Sequence, residues 1–190
     1  MEAAGDSSSS AGGGGRVFGV FLSMKIAIIS DTHDNLTNFK KALFWAEKEK
    51  IKTVLHCGDI GSVDFLKKAA EDFSGKIHLV LGNMDEYYKI PQEYSGGKNK
   101  KVVLHGEIGE IKEGGKKIAF CHFPDWAKKL ALSKKYDLVF YGHTHKPWEE
   151  KVGDCRLINP GNLAGIFYKS TFAIYDTQSD NLELKILEKL

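Results

Sequence analysis

From Lys25 onward, short apolar runs alternate with longer segments whose apolar residues recur at helical spacing. Lys25–Ser30 is an apolar run that stops at polar residues, which predicts a buried strand. Asn35–Lys50 carries Leu36, Phe39, Leu43 and Ala46 along one helical face. A strand at Thr53–His56, a helix at Val63–Asp72 and a strand at Ile77–Leu81 continue the alternation. Such alternation predicts a parallel layer with right-handed crossovers. Past residue 100 the pattern becomes strand-rich. Lys101–Leu104, Glu107–Lys112 and Lys117–Cys121 read as strands, with Glu113-Gly114-Gly115 as a hairpin turn. A short helix at Asp125–Lys134 leads to a strand at Leu138–Tyr141. From Trp148 the tail reads as further short strands, among them Arg156–Ile158, Phe172–Tyr175 and Leu182–Ile186. The change of character predicts two sheets flanked by helices, without an internal repeat.

Residues 1–23 differ in kind. Ser7–Gly15 is rich in Ser and Gly and cannot bury enough surface to repay the entropy of ordering it. The segment is expected to be a disordered or extraneous N-terminal extension, with the domain proper at 24–190. Val17–Leu22 is apolar but short and follows an acidic, Ser/Gly-rich lead, unlike a secretory signal. The 190 residues suit one domain, with 42% apolar and 27% charged residues. A net charge of +2 with scattered cations gives no reason to expect nucleic-acid or membrane partners. The densest cationic patch, Lys98, Lys100 and Lys101, reads as a solvated loop. Cys57, Cys121 and Cys155 are odd in number without CxxC spacing, which fits reduced thiols and a cytoplasmic location.

Five short segments each place a metal-competent side chain just past the end of a strand. They are Asp31-Thr32-His33, Gly58-Asp59, Gly82-Asn83-Met84-Asp85, Cys121-His122 and Gly142-His143-Thr144-His145. Taken singly, each has a plainer reading: Asp31 as a helix cap, Gly58-Asp59 and Gly82-Asn83 as turns, His122 as a core or surface histidine. Together, at strand carboxyl ends that converge on one edge, they predict a ligand site. Oxygen and imidazole donors without thiolate suit manganese, iron, zinc or nickel better than a structural zinc site. Only Asp31 and Asp59 among these ligands are anionic, so two divalent cations would leave the site net positive and receptive to an anion.

In this order the motifs resemble those of the calcineurin-like metallophosphoesterases, over Met24 to about Asn162. Gly142-His-Thr-His-Lys-Pro147 and Asn159-Pro-Gly161 resemble the small, cap-less phosphodiesterase branch of bacteria and archaea. The resemblance implies an α/β fold, a four-layer αββα sandwich of two mixed β-sheets flanked by helices. It implies two divalent ions per chain, manganese first and nickel, iron or zinc as alternatives. Asp31, His33 and His145 would hold one ion, Asn83, His122 and His143 the other, and Asp59 would bridge them. Asp59, Asn83 and His122 count as catalytic. A hydroxide between ions roughly 3.5–4 Å apart would attack the phosphorus in line. Many relatives have His where this chain has Met84, and a thioether cannot donate a proton to a leaving group. Metal charge alone then favours acidic leaving groups, as in aryl or cyclic esters, unless a water or Asp85 substitutes.

The function expected is therefore a phosphodiesterase acting on a small phosphate ester. A phosphomonoesterase or nuclease of the same class ranks lower, for want of a cap or a basic groove. A scaffold like the retromer subunit of this fold, or a metal site kept only for stability, ranks lower again because every ligand position is filled. His56, His78 and His105 are read as structural, and Cys57 and Cys121 as buried small apolar residues. Asn162, Tyr87 and Trp148 are candidates for the mouth of the site, the loop Tyr87–Lys100 for specificity, and a homodimer through sheet edges is left open.

Overall fold

Central strands that carry successive buried residues, and so are buried on both faces, build the molecule. The computed structural model describes residues 25–62, 65, 66, 68, 71, 73–85 and 101–190. In chain order the strands are β1 (Lys25–Ile29), β2 (Thr53–His56), β3 (Lys76–Leu79), β4 (Val102–Leu104), β5 (Ile108–Glu113), β6 (Lys116–Cys121), β7 (Leu138–Phe140), β8 (Trp148–Val152), β9 (Cys155–Asn159), β10 (Thr171–Asp176) and β11 (Asn181–Ile186). The helices are α1 (Leu36–Lys48) and α2 (Pro124–Leu132), with Phe65, Leu66 and Lys68 also helical. One sheet runs β11-β10-β1-β2-β3-β4, the other β5-β6-β7-β9-β8. Each has a parallel centre, β1-β2-β3-β4 and β6-β7-β9, with antiparallel strands outside it. The α/β sandwich expected from the sequence is therefore present.

Three buried apolar layers hold the two sheets and their helices together. On β1, Ile26 and Ile28 face the second sheet while Ala27 and Ile29 face α1. On β6, Ile118 and Phe120 face the first sheet while Ala119 and Cys121 face α2. Burial of both faces explains why these strands read as continuous apolar runs rather than alternating ones. Gly109 on β5 has no side chain because the Phe120 ring occupies that space.

Local signals set the helix ends. Asn35 caps α1, its side chain accepting from Asn38 N at 3.1 Å. The cap reading for Asp31 is thus overturned, since Asn35 already serves α1. Pro124 opens α2 at a position where its missing N–H costs nothing. The helix stops at Leu132, short of the expected Lys134, because Lys134 turns left-handed at φ 59°. The hairpin turn falls on Gly114 and Gly115, at φ 54° and 84°. Both angles suit the primed turns that match strand twist. Residues 1–23, most of Val63–Asp72 and the loop Tyr87–Lys100 lie outside the described residues. Among those described, no helix is long and apolar enough to cross a membrane.

Phe120 is fully buried between the sheets, whereas Leu132 is 60% exposed. Phe120→Ala should therefore lower unfolding free energy by about 3–5 kcal/mol, and Leu132→Ala by no more than about 0.5 kcal/mol. Urea denaturation of both variants checks the difference.

Candidate metal centre

The parallel strands of both sheets, β1, β2, β3 and β4 in one and β6, β7 and β9 in the other, end at one edge of the sandwich. Their registers leave them nearly level there: Ile29 pairs with His56, His56 with Leu79, and Phe120 with Phe140. The segments that leave β1, β2, β3, β6 and β7 carry all seven residues expected as ligands. Asp31 and His33 follow β1, Asp59 follows β2, Asn83 follows β3, His122 follows β6, and His143 and His145 follow β7.

Their polar atoms form two groups. In the first, His145 Nε2 lies 3.3 Å from both His33 Nε2 and Asp31 Oδ1. In the second, Asn83 Oδ1 lies 3.0 Å from both His122 Nε2 and His143 Nδ1, and those two nitrogens are 3.3 Å apart. Asp59 Oδ2 stands between them, 3.9 Å from His33 Nε2 and 3.5 Å from His122 Nε2. Its other oxygen accepts from Met84 N at 2.8 Å.

The donor set fits divalent cations. Atoms bound to one ion at about 2.0–2.2 Å stand about 3–3.6 Å from one another, which is the spacing found within each group. Facing ring nitrogens satisfy each other only if one is protonated, whereas a cation satisfies both. His122 Nδ1 lies 2.8 Å from Cys57 O, so its proton sits there and Nε2 carries the lone pair. Burial disfavours the His122 imidazolium, but hydrogen bonding to Asp59 and the charge of Asp31 outweigh it and raise its pKa. The Asp31 carboxylate likewise raises His145.

Backbone strain accompanies this convergence. Asp31, His33, Asp59, His143 and His145 have φ of 53°, 46°, 54°, 70° and 60°. Left-handed backbone is uncommon outside glycine, and clusters of it mark functional sites. The glycines beside these residues have no room for a side chain. A Cβ on Gly82 would meet Asp59 N at 2.6 Å, and one on Gly142 would meet Asp31 Oδ2 at 2.7 Å.

A family model, the calcineurin-like phosphoesterase superfamily domain, matches residues 24–180. The chain belongs to the calcineurin-like phosphoesterase superfamily. A phosphodiesterase of Methanocaldococcus jannaschii is 35% identical over 167 residues, covering 87% of this chain and all (100%) of the relative. A probable metallophosphoesterase of Methanothermobacter thermautotrophicus is 29% identical, covering 73% of this chain and 77% of its own. Among solved structures, an archaeal phosphodiesterase superposes with a TM-score of 0.74 at 31% identity, over 86% of this chain and 99% of that one. Vacuolar protein sorting 29 from Cryptosporidium parvum shares the fold at a TM-score of 0.60 and 18% identity, over 86% and 96%.

Within this superfamily fold the other histidines stand apart from the two groups. His56 is buried, 2.7 Å from Thr32 Oγ1 and edge-on to Phe39, and burial holds its pKa down at about 3. His78 and His105 pair with each other at 2.9 Å. Cys57 and Cys121 are buried and free, and burial raises both thiols. Trp148 lies on β8, half exposed beneath Lys146, and Tyr87 is outside the described residues.

Two residues matter more than their sequence signal suggested. Asp85 accepts from Asp59 N at 2.7 Å, Ile60 N at 2.9 Å, Gly61 N at 3.2 Å and Gly82 N at 2.9 Å. Burial pushes its carboxyl up to about 6, against the pull of those amides. With both oxygens committed to backbone, Asp85 positions the turns that carry Asp59 and Asn83 and is not the substitute acid that the sequence left open. Asn162, fully buried, accepts from Gly165 N and Ile166 N and donates to His145 O. The Gly82-x-x-Asp85 spacing signals such a turn; Asn162 lies in a motif with no chemistry of its own.

Asp85→Asn replaces an acceptor with an NH2 group facing amide donors. It should lower unfolding free energy by about 1–3 kcal/mol, seen as a lower urea midpoint, and weaken divalent-metal binding by ~10–100-fold in calorimetric titration.

Proposed function

We propose that the chain is a metal-dependent phosphodiesterase that cleaves small phosphate diesters with acidic leaving groups. The observation that carries this reading is the single carboxylate oxygen, Asp59 Oδ2, between two groups of convergent ligands. One group is Asp31, His33 and His145, the other Asn83, His122 and His143, and each would hold one divalent ion, manganese first. The ion pair, when bound, supplies Lewis-acid charge to the phosphoryl oxygens and activates the attacking water.

The remaining work falls to the chain. Asp59 fixes the distance between the two groups. Cys57 O holds the proton of His122 on Nδ1, so Nε2 faces the site. His143 N donates to both Asp31 oxygens, at 3.2 and 3.1 Å, so the β1 and β7 segments move together. The name of the Methanocaldococcus relative supports a diester over a monoester. Three buried free cysteines support a reducing, cytoplasmic setting, with the catalytic unit at 24–190 and residues 1–23 outside it.

Chelator-stripped protein should regain hydrolysis of bis(4-nitrophenyl) phosphate on adding back manganese, nickel, magnesium or zinc separately. Asp59→Asn and His122→Ala should each lower kcat by at least ~10³-fold, several kcal/mol of transition-state stabilisation. Absence of turnover with every metal would favour a protein-binding scaffold instead.

Met84 is 41% exposed and only its backbone engages Asp59. General-acid help is typically worth about 10²–10⁴-fold, so alkyl esters should turn over far more slowly than aryl esters. Met84→His should narrow that gap; equal rates in the unsubstituted chain would overturn the reading.

A further inference from the structure

The segment between β9 and β10 presents large apolar side chains to solvent beside the metal centre. Ile166 is 37% exposed, Phe167 89% and Tyr168 47%. Phe167 also adopts φ of 63°, a left-handed conformation that bulky residues avoid. Its exposure means that core packing does not compensate for that conformation.

Hydrogen bonds from residues 162–166 fix the segment to the site. Leu163 N donates to Ser30 O at 2.9 Å and Ala164 N to Asp31 O at 3.1 Å. Asn162 Oδ1 accepts from Gly165 N at 2.6 Å and Ile166 N at 2.8 Å, while its Nδ2 donates to His145 O at 3.2 Å. Backbone that carries two ligand residues thus also carries Phe167. The Phe167 ring stands 6.0 Å from the His145 ring, tilted by 36°. Phe123 flanks the opposite side, 5.2 Å from the His143 ring, but it is half-buried and packs on Trp126. Among the described aromatic residues in contact with these histidine rings, Phe167 is the one most open to solvent.

We propose that Phe167 is a substrate-binding platform that stacks on a planar aromatic ester group while the phosphate lies on the metal centre. This rests on the phosphodiesterase reading and narrows its substrates to diesters carrying at least one aromatic ring. Stacking on an exposed aromatic tolerates many rings, because any of them offers a π-face. It contributes to binding before the reaction and not to the bond-breaking step, so it should act on KM and leave kcat alone.

The test compares phenylphosphonate with methylphosphonate binding to the manganese-loaded full chain by calorimetry, beside kinetics on bis(4-nitrophenyl) phosphate. The unsubstituted chain should bind the phenyl ligand ~10-fold more tightly, the scale of one base–aromatic stack. Phe167→Ala should bring that ratio near unity, raise KM by ~10-fold and change kcat less than ~2-fold, while Phe167→Tyr keeps the ratio. Melting of the Ala variant should match that of the unsubstituted chain, as for most surface substitutions. A phenyl preference that survives Phe167→Ala, or is missing from the unsubstituted chain, overturns the platform and leaves the phosphodiesterase reading standing. A preference that falls with Phe167→Ala while no metal supports turnover keeps the platform and overturns the hydrolase reading.

Discussion

Convergence of two carboxylates, four imidazoles and a carboxamide at one sheet edge requires backbone that most residues avoid. Asp31, His33, Asp59, His143 and His145 all lie at φ between 46° and 70°. Left-handed backbone costs an L-residue roughly 1–2 kcal/mol, somewhat less for Asp. Five such residues together consume a considerable share of the ~5–15 kcal/mol by which a domain of this kind is stable. The site persists only because the surrounding structure over-determines each turn.

That over-determination has two sources. Level strand ends bring the turns side by side, close enough for the backbone of one to accept from the next: Asp59 O takes both Thr32 N at 2.9 Å and His33 N at 3.0 Å. Short polar side chains then absorb amides that the turns leave unpaired. Asp85 takes four, Asn162 takes two, and Asp34 Oδ1 takes Ser62 N at 2.7 Å. Asn159 Nδ2 donates to Gly142 O at 2.8 Å and so steadies the turn before His143. An amide buried without a partner would cost more than such a bond contributes. These clamps therefore set the geometry of the two side-chain groups as much as the groups' own residues do.

Much of this was legible in the sequence. Buried parallel strands produce uninterrupted apolar runs, and Asp31, Asp59, Asn83, His122 and His143 stand where those runs stop, so their place at one sheet edge could be read from position alone. Cys57 and Cys121, read as buried small apolar residues, are buried and free. What was not legible depends on contacts between segments distant in the chain. Asp85 looks like a turn residue until Asp59, Ile60 and Gly61 are brought to it from 24 to 26 residues away. Phe167 is one aromatic residue among 11 Phe in the chain, and neither its exposure nor its left-handed backbone has a local sequence signature. Asp31 was ambiguous for the opposite reason: a helix does follow it, but Asn35 is the residue in position to cap it.

The distribution of strain also separates an enzyme from a scaffold of the same fold. Likeness to vacuolar protein sorting 29 at 18% identity establishes shared architecture and no more. A scaffold binds through its outer surfaces, and for that purpose left-handed histidines at the sheet edge contribute nothing. Glycine or asparagine at those positions would relax the backbone. Facing imidazole nitrogens at 3.3 Å would be equally unhelpful to a scaffold, since one must be protonated for the pair to attract. Divalent ions in the two groups would turn the facing lone pairs into shared ligands, and their binding would offset the cost of the strained backbone that presents them. The same reasoning reaches Phe167, whose strained and exposed ring has no structural return until something flat lies against it. Strain concentrated around one prospective phosphate position, with only Lys50, Lys134 and Asp180 left-handed elsewhere among the described non-glycine residues, is what a preorganised catalytic site requires, and what a binding surface elsewhere on the molecule would leave unexplained.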